Sequence, residues 1–238
     1  MAHTLALLTF ATLLSLGNAL TALTVTLDQA TVIGFTNGSV TNFFAIPYAQ
    51  PPVSDLRLRL PKPVTGYNGT INATQAAAQC PQITQLPLSD TLQDLLEAGV
   101  AYANLLGLST DVPQSEDCLT VNVQVPTGRK LGAKLPVLAL IYGGGFVTGS
   151  TNFYCADALV RRSVDFNEPV IIVSMNYRLG GTSHYDSLVV PQLSILSAVL
   201  GFLGGKEVNE AGISNLGLHD QRLALRWIQE YVDAPNLP

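Results

Sequence analysis

Charge is scarce in this sequence. Only 12 Lys and Arg stand beside 17 Asp and Glu in 238 residues, a formal net charge of -5. A phosphate backbone needs a concentrated basic face, and no cluster of cations occurs, so nucleic acid is excluded as a partner. Histidine is scarcer still: there are three, one of them His3 near the N-terminus, and they show no ligand spacing, which argues against a metal centre. The glycines at Gly143 to Gly145 are not a dinucleotide fingerprint, because the position of a third glycine is held by Thr148. Gly205-Lys206 is followed by Glu207 and lacks the upstream glycine of a phosphate-binding loop. No cofactor and no metal are therefore expected. No apolar run reaches the roughly 18 residues needed to span a bilayer, so no transmembrane segment is expected either. Finally, no G-x-S-x-G occurs anywhere in the chain.

What the sequence does have is apolar residues, 47% of the whole, enough for one sizeable core. Part of that excess is N-terminal. Leu5 to Leu16 form a short apolar stretch, and Gly17-Asn18-Ala19 offers a small-x-small cleavage site, so residues 1–19 read as a secretory signal and the protein is expected to be secreted. Asn37-Gly38-Ser39, Asn68-Gly69-Thr70 and Asn72-Ala73-Thr74 fit the N-glycosylation pattern. Three cysteines in an oxidising compartment suggest one bridge and one leftover. Cys80 and Cys118 bracket a self-contained loop and are the favoured pair, which leaves Cys155.

Along the chain, Leu23 to Phe35 alternates as an antiparallel hairpin, and Phe43 to Tyr48 is a short apolar strand halted by Pro51-Pro52. Arg57 and Arg59 lie on an alternating segment, followed by a polar loop from Lys62 to Thr74. Leu88, Leu92, Leu95, Leu96, Val100 and Leu106 recur at helical spacing; this amphipathic element is either a flap over a pocket or a helix docked on the domain. Asp117 to Val123 alternates as a strand. Leu135 to Ile141 has almost no alternation, as a central strand covered on both faces requires. Ala156 to Ser163 reads as a helix, Pro169 to Tyr177 as a second buried strand, and Gly217 to Val232 as a helix capped by Asn215 or Asp220. Strand, glycine turn, helix, strand is the rhythm of a parallel β-α-β unit, with ligands at the carboxyl ends of the strands.

That rhythm places Gly143-Gly144-Gly145 at the functional edge. Glycine admits dihedrals that leave backbone N–H groups free, and free donors at a strand end suit the negative charge that develops on a carbonyl oxygen during acyl transfer. A plain tight turn is the alternative. His219 beside Asp220 is no relay, because helix neighbours do not face each other; His184 with Ser183 and Asp186 has adjacency but no relay geometry.

Five blocks carry a resemblance: Ala45 to Val53 with Leu56-Arg57; Glu116 to Val123; Tyr142 to Phe146 with Gly149; Asn176 to Gly180; and Asn215 to Leu218 with Asp220 to Trp227. In this order they resemble the type-B carboxylesterase and lipase family, in its secreted fungal lipase-like branch. The resemblance implies a truncated α/β-hydrolase fold with a mostly parallel central sheet and N-terminal antiparallel strands. Residues 20–238 would be the N-terminal part of its catalytic domain. It implies oxyanion donors at Gly144 and Gly145, a turn permitted by Gly143, a Cys80–Cys118 disulfide around a lid-bearing loop, and a structural ion pair between Arg57 and Glu116. It implies a secreted carboxylic-ester hydrolase acting on a neutral acyl ester or lipid through a serine nucleophile, histidine and an acid. Because the elbow that carries the serine is absent, these residues alone are expected to be inactive. A non-catalytic adhesion or binding protein on the same fold is the alternative function. One departure stands out: Thr182 to Val199 separates blocks that adjoin in the family, and this apolar insert reads as translated intron.

Overall fold

A computed structural model of the chain describes residues 22–82, 113–129, 134–154, 156–180 and 200–232. The signal stretch, the amphipathic element from Leu88 to Leu106, Cys155, the Thr182–Val199 insert and the end of the chain lie outside the described residues. The strands are β1 (Ala22–Leu27), β2 (Gln29–Asn37), β3 (Val40–Pro47), β4 (Asn68–Asn72), β5 (Thr120–Pro126), β6 (Val137–Ile141) and β7 (Ile171–Met175). The helices are α1 (Asp157–Asp165), the short α2 (Lys206–Glu210) and α3 (Leu216–Tyr231). One sheet runs in the order β1-β2-β3-β5-β7-β6, with β4 pairing β2. The early strands enter antiparallel through β1–β2, β2–β3 and β3–β5, and β5 meets β7 antiparallel. The β6-α1-β7 unit is the parallel step that the glycine turn and its flanking runs predict.

Local chemistry explains the corners. Asn37 pairs with Val40 across Gly38-Ser39, a two-residue hairpin in which Gly38 takes φ 62°. In β3 the register breaks between Phe43 and Ile46, where Ala45 adopts φ 58°. That bulge keeps its donors satisfied, since Ala45 N–H donates to Asn122 Oδ1 at 3.0 Å and Phe44 N–H to the Ala73 carbonyl at 2.8 Å.

Alternation along β7 divides the core between the two faces. Ile171, Val173 and Met175 join Val121, Val123 and Val125 of β5 and Ala224, Trp227 and Ile228 of α3 in the main cluster. Ile172 points the other way, against Ala156, Val160 of α1 and Val40. The α1 side is partly polar: Asp157 accepts from Gln124 Nε2 and, at 3.1 Å, from Asn37 Nδ2.

Three expectations need correction. β7 is buried throughout, but β6 is not covered on both faces: Leu138 is 49% and Ile141 44% exposed. β6 ends the described sheet, and cover comes from neighbours on both sides, which apolar composition cannot supply. The segment at Arg57 and Arg59 is no strand but follows a 3-10 turn at Ser54–Leu56. The polar loop from Lys62 to Thr74 contains β4, held parallel to β2, so Asn68 and Asn72 sit on an exposed strand. At the start of α3, Asn215 occupies the cap position with φ 55° but makes no side-chain cap bond, and Asp220 lies one turn inside, turned into the core.

Candidate functional site: the glycine turn at the end of β6

β6 stops at Ile141, and Tyr142 turns its ring inward to stack on Tyr177 from the end of β7, with centroids 4.5 Å apart. Each hydroxyl donates to the other residue's carbonyl, at 3.1 Å in both directions. Burial pushes both phenols above their ordinary value, so they remain neutral donors and lock the two strand ends together. Tyr48 adds a third tie, donating to the Asn176 carbonyl at 2.7 Å.

Beyond this brace the chain makes a tight loop. The Gly144 carbonyl accepts from Val147 N–H at 3.1 Å and Thr148 N–H at 3.2 Å. Gly144 has φ 128°, and a Cβ there would lie 1.9 Å from the Thr148 carbonyl oxygen, so only glycine closes this turn. Phe146 is left-handed at φ 63°, an unusual state for a bulky residue. Its carbonyl accepts from Gly180 N–H at 2.7 Å and its ring packs on Phe202 at 4.7 Å. Gly143 N–H reaches the Tyr154 hydroxyl at 3.4 Å. The amides of Gly144 and Gly145 find no acceptor among the described residues, and Gly143 to Phe146 are exposed. The turn thus presents two adjacent backbone donors at the carboxyl end of β6.

Its far end is clasped by Gln82. Buried beside the turn, Gln82 accepts from Gly149 N–H at 2.8 Å and Thr148 Oγ1 at 2.6 Å, while its Nε2 donates to the Gly149 carbonyl at 3.0 Å and the Cys80 carbonyl at 3.2 Å. Cys80 is joined to Cys118 by a disulfide. Nothing local marked Gln82, because a glutamine two residues after a cysteine reads as ordinary loop; only the fold carries it to Gly149. Arg57 Nε lies 2.8 Å from Glu116 Oε2, largely exposed. The buried charge pair is a different one: Arg178 donates through Nε at 2.8 Å and Nη2 at 2.7 Å to the two carboxylate oxygens of Asp220, and through its backbone N–H at 3.0 Å. Burial raises the Asp220 carboxyl, partly offset by the Arg178 guanidinium. Among the described residues no group of three or more His, Cys, Asp or Glu could hold a metal ion, and no helix is long and apolar enough to cross a membrane.

With this geometry, a family model for the carboxylesterase family matches residues 21–234. The chain belongs to the carboxylesterase family. The family's solved structures share the fold: Aspergillus niger EstA superposes with a TM-score of 0.65 at 27% identity, over 90% of this chain and 33% of that one. A thermophilic pNB esterase gives 0.62 at 31% identity, over 89% and 35%. The chain therefore has the α/β-hydrolase fold. Among family members, "Secreted lipase 1" of Botryotinia fuckeliana (strain B05.10) is 38% identical over 218 residues, covering 89% of this chain and 33% of the relative. "Lipase 1" of Geotrichum candidum is 37% identical over 207 residues, covering 84% and 34%. The chain spans about a third of the length of the curated relatives it matches.

Proposed function

We propose that this carboxylesterase-family chain supplies the oxyanion half of a secreted carboxylic-ester hydrolase of lipase type, acting on a neutral acyl ester or lipid. The observation that carries the reading is the pair of exposed Gly144 and Gly145 amides without acceptors among the described residues, on a turn anchored by Gln82 and Gly180. When a nucleophile adds to an ester carbonyl, the oxygen gains charge. Donors already aimed at that position stabilise the tetrahedral species more than the ester, each by about 3 kcal/mol. The family's nucleophile is a serine on a G-x-S-x-G elbow, and none occurs in these 238 residues. Hydrolysis by these residues alone is therefore not part of the proposal. The apolar N-terminal stretch, the Cys80–Cys118 bridge and the names of the relatives support an extracellular location.

The insert reading has its own support. Gly201 N–H donates to the Leu179 carbonyl at 3.0 Å, so the residues flanking positions 181–199 close on each other directly. That contact suits an addition to an already complete frame.

The test has two arms. The chain alone, mixed with a short-chain ester and a serine-reactive phosphonate, gives neither turnover nor covalent label; either result would show that it carries its own nucleophile. The transcript is then sequenced past the Ala234 codon. A G-x-S-x-G elbow supports the hydrolase, and a substituted nucleophile supports the adhesion or binding alternative. In a product with the elbow, Gly144→Ala keeps the N–H but cannot close the turn that aims it, so kcat falls by about 100-fold or more, and an unchanged kcat removes the oxyanion role.

A further inference from the structure

Away from the glycine turn, α3 carries a second kind of surface. Ala224, Trp227 and Ile228 face the core and Leu223 packs partly against it, while His219, Arg222, Leu223 and Arg226 follow at i, i+3, i+4 and i+7 along the border of that face. Leu60 and Pro61 stand opposite, and the six residues line an open cleft of about 180 Å³. Arg222 and Arg226 are exposed and make no ion pair or hydrogen bond among the described residues. Even Glu230, one turn beyond Arg226, makes no ion pair with it. In a chain of net charge -5 with only 12 cationic residues, two adjacent guanidinium groups without an ion pair among the described residues concentrate positive charge in one cleft.

The cleft is also built rather than incidental. Arg178, locked in its fork to Asp220 of α3, donates through Nη1 to the Arg59 carbonyl at 2.9 Å. One buried side chain therefore ties the Leu60–Pro61 wall to the helix that carries the arginines, and the spacing between charged and apolar walls is preset.

We infer that this cleft binds the carboxylate head and first methylenes of a medium-chain fatty acid. Guanidinium forks match a carboxylate in two-point geometry. Leu60, Pro61 and Leu223 give the adjoining methylenes an apolar wall, and each methylene removed from water adds about 0.8 kcal/mol. A bare small anion would leave that wall unused, and a neutral alcohol would leave both arginines unmatched. The inference stands apart from ester hydrolysis, because binding is read on a chain that need turn nothing over.

Isothermal titration of the purified chain with sodium octanoate below its micellar range tests it, with acetate, octanol and octyl phosphate as parallel ligands. Saturable binding of one octanoate is expected, with acetate and octanol each at least about tenfold weaker. Arg222→Gln with Arg226→Gln should weaken octanoate by about tenfold or more while leaving circular dichroism and thermal midpoint unchanged, since both side chains are exposed and unpaired. Leu60→Ser should weaken octanoate severalfold and leave acetate unaffected. Absence of saturation, octanoate binding indifferent to the double substitution, or acetate binding as tight as octanoate would overturn the inference. Octyl phosphate bound more tightly than octanoate would overturn the choice of a carboxylate.

Discussion

Gln82→Ala removes one side chain and strips the end of the glycine turn of three hydrogen bonds. Gly149 loses partners for both its N–H and its carbonyl, at 2.8 and 3.0 Å, and it is buried. Thr148 is exposed, so its hydroxyl turns to water at little cost; the Cys80 carbonyl loses one donor. A buried backbone group left without a partner costs about 1–3 kcal/mol, so two such groups predict a loss of about 2–6 kcal/mol, reduced if water enters the vacated space. Against the 5–15 kcal/mol or so that hold a typical domain, that is a large fraction. Urea unfolding followed by Trp227 fluorescence reads the global effect, since Trp227 is the sole tryptophan and lies in the α3 core. Hydrogen exchange over residues 143–150 reads the local one, and the Gly149 amide should exchange at least about tenfold faster. Gln82→Glu separates the two halves of the clasp: its carboxylate still accepts from Gly149 N–H but opposes the Gly149 carbonyl, so most of the loss should remain at neutral pH and shrink in mild acid. If Gln82→Ala stays within about 0.5 kcal/mol of the parent and exchange at Gly149 is unchanged, the clasp contributes nothing and the reasoning fails.

The remaining predictions concern the frame around the turn. Asp220→Ala leaves Arg178 buried and unmatched and should cost about 3–5 kcal/mol, while Arg57→Ala on the exposed pair should cost under about 1 kcal/mol; chemical denaturation of both variants checks the contrast. Reducing Cys80–Cys118, which closes a loop of sequence separation 38, should cost about 4 kcal/mol by chain entropy, read as the change in urea midpoint with and without reductant. Burial raises the Tyr48 and Tyr142 phenols above their ordinary 10.0. The unfolded chain therefore releases these protons near pH 10 while the folded chain holds them. Stability is fully present below that pH and falls as pH rises above it, by on the order of 1 kcal/mol per pH unit for each buried phenol; urea midpoints measured from pH 8 to about 11 on the parent and on Tyr142→Phe check it, and an equally steep fall in both would contradict it.

Several of these elements were legible from short stretches. The Leu135–Ile141 run halted by three glycines announces a strand and a turn, because abrupt loss of side chains at the end of an apolar run has few other readings. The alternation in Leu23–Phe35 gives the first hairpin, and the α3 periodicity gives the helix but not its buried face, since Leu218 and Leu225 are exposed while Asp220 is buried. β4 was not legible. Asn68–Asn72 carries a single large apolar residue, Ile71, and what makes it a strand is the row of β2 backbone groups beside it, a partner more than thirty residues away. The exposure of β6 was misread for a related reason: its residues state how apolar it is, while its place at the end of the described sheet states what covers it.

By itself the sequence determined that the glycine turn must lack side chains, where the apolar strands and the long helices run, and which family the motifs resemble. Only the tertiary structure decided that Gln82 clasps Gly149, that Gly180 holds the Phe146 carbonyl, and that Arg178 ties Asp220 to the Leu60–Pro61 wall. Periodicity and glycine placement act within a few bonds and leave a local trace. Contacts across 67 or 119 residues depend on sheet register and packing that no neighbouring residue encodes.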